Sequence, residues 1–259
     1  MFEKDLIRLS QSHLNLLSIC PPKFQQVYLD GLTSLPEPEQ QESMQWGSRF
    51  HLLMQQRELT LPIDSLLTTD PELDLAFKAL VQANRDLQEQ NSDIWREAEH
   101  CRTITSGSFL LTVIYDLLIA KIDRAIILDW KTYRQPRDSK NLVNNWQTRL
   151  YLYVLAETSE YAPEQIQMVY WFVKSGKPQS VTLDYSEQQH QQTEQDLADL
   201  LNELKTWLSD YRQLGSKLPH RANCEQKCPY HQFLLANETN EYSHQELSKS
   251  IKEIEEISI

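Results

Sequence analysis

The sequence predicts a mixed α/β (α+β) fold, with a central mixed β-sheet flanked by helices. Three observations carry that expectation. Residues 94 to 131 hold three consecutive strand-like runs joined by short polar turns, helical periodicity stands on both sides of them, and two more strand-like runs follow. The chain has 259 residues, 40% of them hydrophobic, enough for a sizeable core. It contains no run of about 18 apolar residues, and its start, MFEKDLIRLSQS, lacks the basic and apolar regions of a secretory signal. A cytoplasmic protein with no membrane partner is the expectation.

Taken in order, residues 5 to 17 have helical periodicity, Cys20-Pro21-Pro22 breaks it, and a second helical stretch runs from Phe24 to Leu32. Leu35 to Glu42, LPEPEQQE, reads as a loop. A helix from about Ser43 to Leu59 puts Gly47 and His51 one turn apart on one face, where the glycine permits a close approach. Residues 71 to 91 predict another helix. Ile94 to Thr105 alternates as a strand, with Ser106-Gly107-Ser108 as its turn. Phe109 to Ala120 and Ala125 to Lys131, rich in Ile, Leu, Val and Tyr, are the next two strands. A helix from about Ser139 to Glu157 carries Asn144, Gln147, Tyr151 and Leu155 along one side. Gln165 to Val173 and Ser180 to Tyr185 read as strands joined by Ser175-Gly176-Lys177-Pro178, and Glu187 to Leu214 as a long amphipathic helix. The expected division is a helical part over 1–92, a sheet core over 93–186, a helix and cysteine segment over 187–236, and an acidic tail over 237–259. For the tail two readings stand: a helix docking on a protein partner, or a disordered segment.

The chemistry concentrates in the hairpin. With Ile122 and Asp123 as the two loop residues, Asp116 lies across from Asp129. Lys131 then projects from the same face as Asp129, because side chains alternate along a strand. Two carboxylates at roughly 5 Å repel each other unless a cation lies between them. A hard divalent cation, which takes oxygen ligands, resolves the conflict, and Lys131 is placed to hold or polarise an attacking water. An edge strand with Asp129 and Lys131 on the surface is the plainer alternative. The turn decides the third acidic group: a Ser106-Gly107 loop sets Glu97 opposite Asp116, a Gly107-Ser108 loop sets Glu99 there, and Glu99 is favoured.

The net charge of −12 argues against broad attraction to phosphates, although Lys131, Arg134, Arg137, Lys140 and Arg149 form a local basic strip against Asp138 alone. Four cysteines in a chain this long do not make a disulfide scaffold; in a reducing compartment they are free thiols or metal ligands.

Several segments together resemble a known family. They are SHLNLLSICPPKFQQVYLDGL, GSRFH with His51, the acidic position at Glu97 to Glu99, YDLLI with Asp116, ILDWKT with Asp129 and Lys131, QTRLY with Gln147 and Tyr151, and CEQKCPY. In that order and spacing, over most of residues 10 to 235, the chain resembles the PD-(D/E)XK nuclease superfamily, in particular its RecB-type branch. The resemblance implies a restriction-endonuclease-like core with an N-terminal helical region. It implies Mg²⁺ or Mn²⁺ held by Asp116, Asp129 and the Trp130 carbonyl with His51 nearby, and Lys131 acting on the water. Glu99, Gln147 and Tyr151 complete the catalytic set, and the substrate is DNA. Some relatives hold a four-cysteine iron–sulfur cluster. Here Cys20, Cys224 and Cys228 match three positions while Leu234 and Leu235 stand near the fourth, and zinc with His231 is the alternative. Val113-Ile114-Tyr115 replaces the family's glycine-rich approach to the first aspartate. The resulting expectation is a Mg²⁺-dependent deoxyribonuclease; its rival is a nuclease-fold accessory protein acting through a partner.

Overall fold

Alternating apolar residues from Trp95 to Lys131 build the centre of the molecule. In the computed structural model, which describes residues 6–32, 38–88, 94–133, 140–174 and 177–222, they form three antiparallel strands. In chain order the strands are β1 (Ile7–Leu9), β2 (Trp95–Ser106), β3 (Phe109–Ala120), β4 (Ala125–Lys131), β5 (Ile166–Phe172) and β6 (Gln179–Asp184). The helices are α1 (Gln11–Ile19), α2 (Pro21–Phe24), α3 (Pro38–Glu58), α4 (Asp64–Thr69), α5 (Pro71–Ala83), α6 (Arg85–Gln88), α7 (Lys140–Asn144), α8 (Trp146–Glu157) and α9 (Glu187–Leu214). A single turn of π-helix, Gln25–Leu29, continues α2.

The six strands form one mixed sheet in the order β1-β3-β4-β5-β6, with β2 also on β3. β2 occupies one edge of β3 from Trp95↔Ala120 to Ser106↔Phe109. The other edge is shared: β1 pairs in parallel with residues 109–111, and β4 antiparallel with residues 117–120. Between them, residues 112–116 of β3 lie in a fork, with no strand among the described residues beside that edge. β4 continues in parallel to β5 through the crossover that contains α8.

Helices cover both faces. On one, α1, α8 and α9 bury Leu14, Leu17, Leu150, Val154, Leu201 and Leu204 against Leu111, Tyr115, Ile127 and Met168. On the other, α3 and α5 bury Phe50, Leu53, Met54, Leu73 and Leu80 against Leu117, Ile119, Ile126, Leu128 and Trp130. All seven residues of β4 are buried, as a parallel-paired central strand requires, so Asp129 and Lys131 do not lie on a surface edge.

Some expected boundaries move. Ile7–Leu9 is a strand rather than the start of a helix, because the open edge of β3 supplies backbone partners. Pro38 begins α3 within the expected loop, its missing N–H costing nothing in the first turn. Asn84 and Asn145 interrupt the helices expected over 71–91 and 139–157: Asn145 adopts extended backbone and accepts the Gln147 amide, capping α8. The helix Asp64–Thr69 was not anticipated. The expected features at Cys224, Cys228, His231 and the tail, and the side chains of Arg134, Arg137, Asp138 and Lys140, lie outside the described residues. No helix among the described residues is long and apolar enough to cross a membrane.

Candidate active site

The fork in the sheet opens into a cleft of about 420 Å³ whose lining includes Ser10, Gly47, His51, Glu99, Thr112, Asp116, Asp129, Trp130, Lys131, Gln147 and Tyr151. The hairpin register sets its floor. The turn Lys121 to Arg124 closes with a 2.9 Å bond from the Lys121 amide to the Arg124 carbonyl, so pairing runs from Ala120↔Ala125 to Leu117↔Leu128, the register expected of Ile122 and Asp123 as loop residues. At Asp116 the ladder stops. Its side chain replaces its backbone, Oδ2 accepting the Trp130 amide at 2.7 Å.

The turn at Gly107 and Ser108 brings Glu99 level with Asp116, since Ala98↔Leu117 and His100↔Tyr115 flank it. Both strands change face there. Tyr115 belongs to the core under α8 and Leu117 to the core under α3; in β2 Ala98 packs under α3 while His100 stacks on Tyr115. Glu99 absorbs the change with φ at +53°, a left-handed conformation that is costly for a residue with a Cβ. Glu97 stays outside the site, bonded through Oε2 to His100 Nδ1 at 2.8 Å.

Two groups of side chains result. In the outer one, His51 Nδ1 lies 3.2 Å from Asp116 Oδ1, and its Nε2 lies 3.1 Å from the Trp130 carbonyl. Both ring nitrogens face acceptors, so both donate and the imidazole carries a proton on each. Burial opposes that charge, but the Asp116 carboxylate, with Asp129 and Glu99, outweighs it and raises the His51 pKa to about 9. Burial and then the Asp116 charge raise the pKa of Glu99. One ligand atom each from His51, Glu99 and Asp116 lies within 4.8 Å of the others.

The inner group is buried. Asp129 and Lys131 are 2% and 7% exposed, and Lys131 Nζ meets Asp129 Oδ1 at 2.8 Å. Gln147 locks the pair: its carbonyl accepts from Lys131 Nζ at 2.7 Å and its amide donates to Asp129 Oδ2 at 2.6 Å. Burial raises the Asp129 pKa against the pull of Lys131; for Lys131 the Asp129 charge overcomes burial and holds the ammonium form. Tyr151 is buried beside them, its phenol pKa pushed well up by burial and then by Asp129 and Asp116. Asn15 of α1 steadies this group, accepting the Trp146 amide at 3.0 Å and donating to the Asn145 cap at 3.0 Å.

Gly47 serves α3 as the helix comes down on the strand end: a Cβ there would stand 2.9 Å from Thr132 Oγ1. Of the expected residues, His51, Glu99, Asp116, Asp129, Trp130, Lys131, Gln147 and Tyr151 all line the one cleft. Cys20 is buried at the start of α2 and is not among the cleft residues. Ser10, Thr112 and Ile114 also line the cleft and went unread as site residues, although Ser10 bears the signature of a residue opening a helix.

Comparisons with known proteins agree with this architecture. No curated protein matches the chain in sequence. A solved structure from Eubacterium rectale, named as a candidate exonuclease, matches with a TM-score of 0.55 at 13% identity, covering 92% of this chain and 94% of that one. That likeness is one of fold. A second, of SSO0001, covers 91% and 87% of the two chains at 13% identity, but with a TM-score of 0.36 it adds nothing. The model of one family matches residues 8–233, nearly the whole of the described chain, and by that match the protein belongs to the PD-(D/E)XK nuclease superfamily.

Proposed function

We propose that the chain is a divalent-metal-dependent deoxyribonuclease of the RecB-like kind, hydrolysing phosphodiester bonds. The observation that carries this reading is the meeting of His51, Glu99 and Asp116 within 4.8 Å, beside the buried Asp129–Lys131 pair. The outer group already holds a cation, the imidazolium, between a carboxylate and a carbonyl, so its oxygens are arranged to attract positive charge. Mg²⁺ or Mn²⁺ would be held by Asp116, Asp129 and the Trp130 carbonyl, with His51 and Glu99 alongside. Such an ion, when bound, polarises a phosphoryl oxygen and lowers the pKa of water.

The protein groups supply position and charge. Lys131, kept protonated by Asp129, offers N–H to a water or a phosphoryl oxygen in the cleft. Gln147 fixes the distance between Lys131 and Asp129 by bonding to both. Tyr151 stays a neutral phenol and acts as a donor rather than a base. Cleavage of plasmid and single-stranded DNA in Mg²⁺ is expected for the wild type and lost in Asp129→Ala and Lys131→Ala; equal cleavage by all three refutes the catalytic reading.

A second reading, a nuclease-fold accessory protein, is favoured by one observation. Among the described residues lining the cleft only His51 and Lys131 are basic, and both face carboxylates. Absence of Mg²⁺ and Mn²⁺ binding by calorimetry supports that reading, whereas binding lost in Asp116→Ala counts against it. A cluster or zinc at Cys20, Cys224 and Cys228 is a separate proposal. Elemental analysis after anaerobic purification tests it, and finding neither iron nor zinc removes it.

A further inference from the structure

The cleft has a second wall that the metal chemistry does not use. β1 runs parallel to β3 with Leu9↔Leu111 as its last pair, so the next residues, Ser10 and Thr112, emerge side by side at the mouth of the fork. Ser10 is also the residue from which α1 starts, and Ser10 and Gln11 line the cleft with Thr112. The start of α1 therefore borders the same space. Its amides at Gln11 and Ser12 have no acceptor among the described residues. The Ser10 hydroxyl, within a capping box with His13, also meets Ser12 Oγ at 2.9 Å and His13 Nδ1 at 2.8 Å, and caps neither of these two amides.

Thr112 is the independent sign of a missing partner. It is 9% exposed, and its Oγ1 is buried with no hydrogen-bond partner among the described residues. Buried hydroxyls are nearly always bonded. A hydroxyl without a partner, beside free amides at a positive helix end, matches the donor set that holds a phosphate without a side-chain cation. Four residue rises along β3, roughly 13 Å, separate Thr112 from Asp116. One phosphate cannot touch both.

We propose that the first turn of α1 and Thr112 form a second phosphate subsite, which takes a backbone phosphate of the nucleic acid away from the one at Asp116. The proposal rests on the nuclease reading for its ligand's origin, but not for the binding of phosphate itself. Because this subsite stays remote from the reacting atoms, it contributes to substrate binding equally in ground and transition states. Its loss raises KM and leaves kcat alone.

The test uses the full chain without added metal and follows backbone amides by NMR while titrating inorganic phosphate and then (dT)4. Wild type is expected to show saturable shifts at Gln11 and Ser12. Thr112→Val, which removes only the hydroxyl, is expected to weaken (dT)4 binding about fivefold to tenfold. Gln11→Pro removes one donor at a helix position that tolerates proline, after a Ser10 already extended at φ −121° and ψ 178°, and is expected to act likewise. In cleavage assays both variants should raise KM by the same factor at unchanged kcat. Absence of shifts at these two amides, or (dT)4 binding unchanged in both variants, overturns the proposal. If the amides respond but no cleavage is seen with any metal, the subsite stands and the nuclease reading fails.

Discussion

The two halves of the site solve the same problem in opposite ways. In the inner half, Asp129 is neutralised from within: Lys131 Nζ pairs with its Oδ1 at 2.8 Å and Gln147 donates to its Oδ2 at 2.6 Å, both charged residues are almost fully buried, and Oδ1 accepts no hydrogen bond among the described residues. In the outer half, Asp116 and Glu99 are only part-buried, have one imidazolium between them, and depend on a residue at φ +53°. The inner half carries its own cation while Asp129 Oδ1 is left to face a second one; the outer half carries more negative charge than the described residues balance. A folded protein keeps such an imbalance where something else completes it.

The contrast can be broken first at the inner pair. Lys131→Met leaves Asp129 buried without its partner and is expected to cost about 3–5 kcal/mol, read as a lower urea midpoint. Asp129→Leu combined with Lys131→Met should recover most of that loss while remaining inactive. If the single variant is as stable as wild type, the inner half is not the self-contained unit described.

In the outer half the same kind of change should act on binding rather than on stability. Asp116→Asn is expected to lower Mn²⁺ affinity at least tenfold, the range that loss of one ligand or its support commonly gives. Glu99→Gly should do likewise and also stabilise the metal-free protein by about 1 kcal/mol, since glycine accepts the left-handed backbone at little cost. A destabilised Glu99→Gly would mean that the carboxylate, not the backbone strain, dominates there.

The pH dependence separates the halves further. His51 has a folded pKa near 9, above its ordinary 6.5. Its contribution to stability is therefore complete below about 6.5 and fades as the pH rises through about 9. Urea midpoints of the metal-free protein should fall across that window, and His51→Gln should flatten the fall. Glu99, also raised, works in the same sense at lower pH: its proton favours the folded state, and stability is lost as it ionises.

The smallest effect is expected at Gly47→Ala. The new methyl meets Thr132 Oγ1, the end of a short side chain that can rotate, and alanine favours the helix by about 1 kcal/mol, so stability changes little. Cleavage should respond more, because Thr132 adjoins Lys131. A large loss of stability would show that Thr132 is fixed.

Much of this was legible in the amino-acid sequence because the hairpin has few alternatives. The short polar stretch Lys121 to Arg124 between apolar runs sets the register, and the register brings Asp116, Asp129 and Lys131 to one place. Gln147 and Tyr151 followed from helical spacing, although the break at Asn145 that caps α8 did not, since asparagine reads equally well inside or before a helix. The simultaneous change of face at Glu99 and Asp116 was hidden for a physical reason: when both strands shift together the pairing sum is unchanged. β1, at three residues, is too short to show a period and exists only because β3 offers it an edge. Thr112 looked like one more β-branched strand residue; only its unbonded hydroxyl sets it apart.

The central claim is that the outer half, together with the neighbouring Asp129 carboxylate, takes a metal ion while Lys131 stays paired within the inner half. Mn²⁺ binding followed by electron paramagnetic resonance at pH 7, for wild type, Asp116→Asn and Thr112→Val, tests it most directly. The account predicts a bound signal in wild type and Thr112→Val that is absent or at least tenfold weaker in Asp116→Asn; equal binding by all three, or none in wild type, contradicts it.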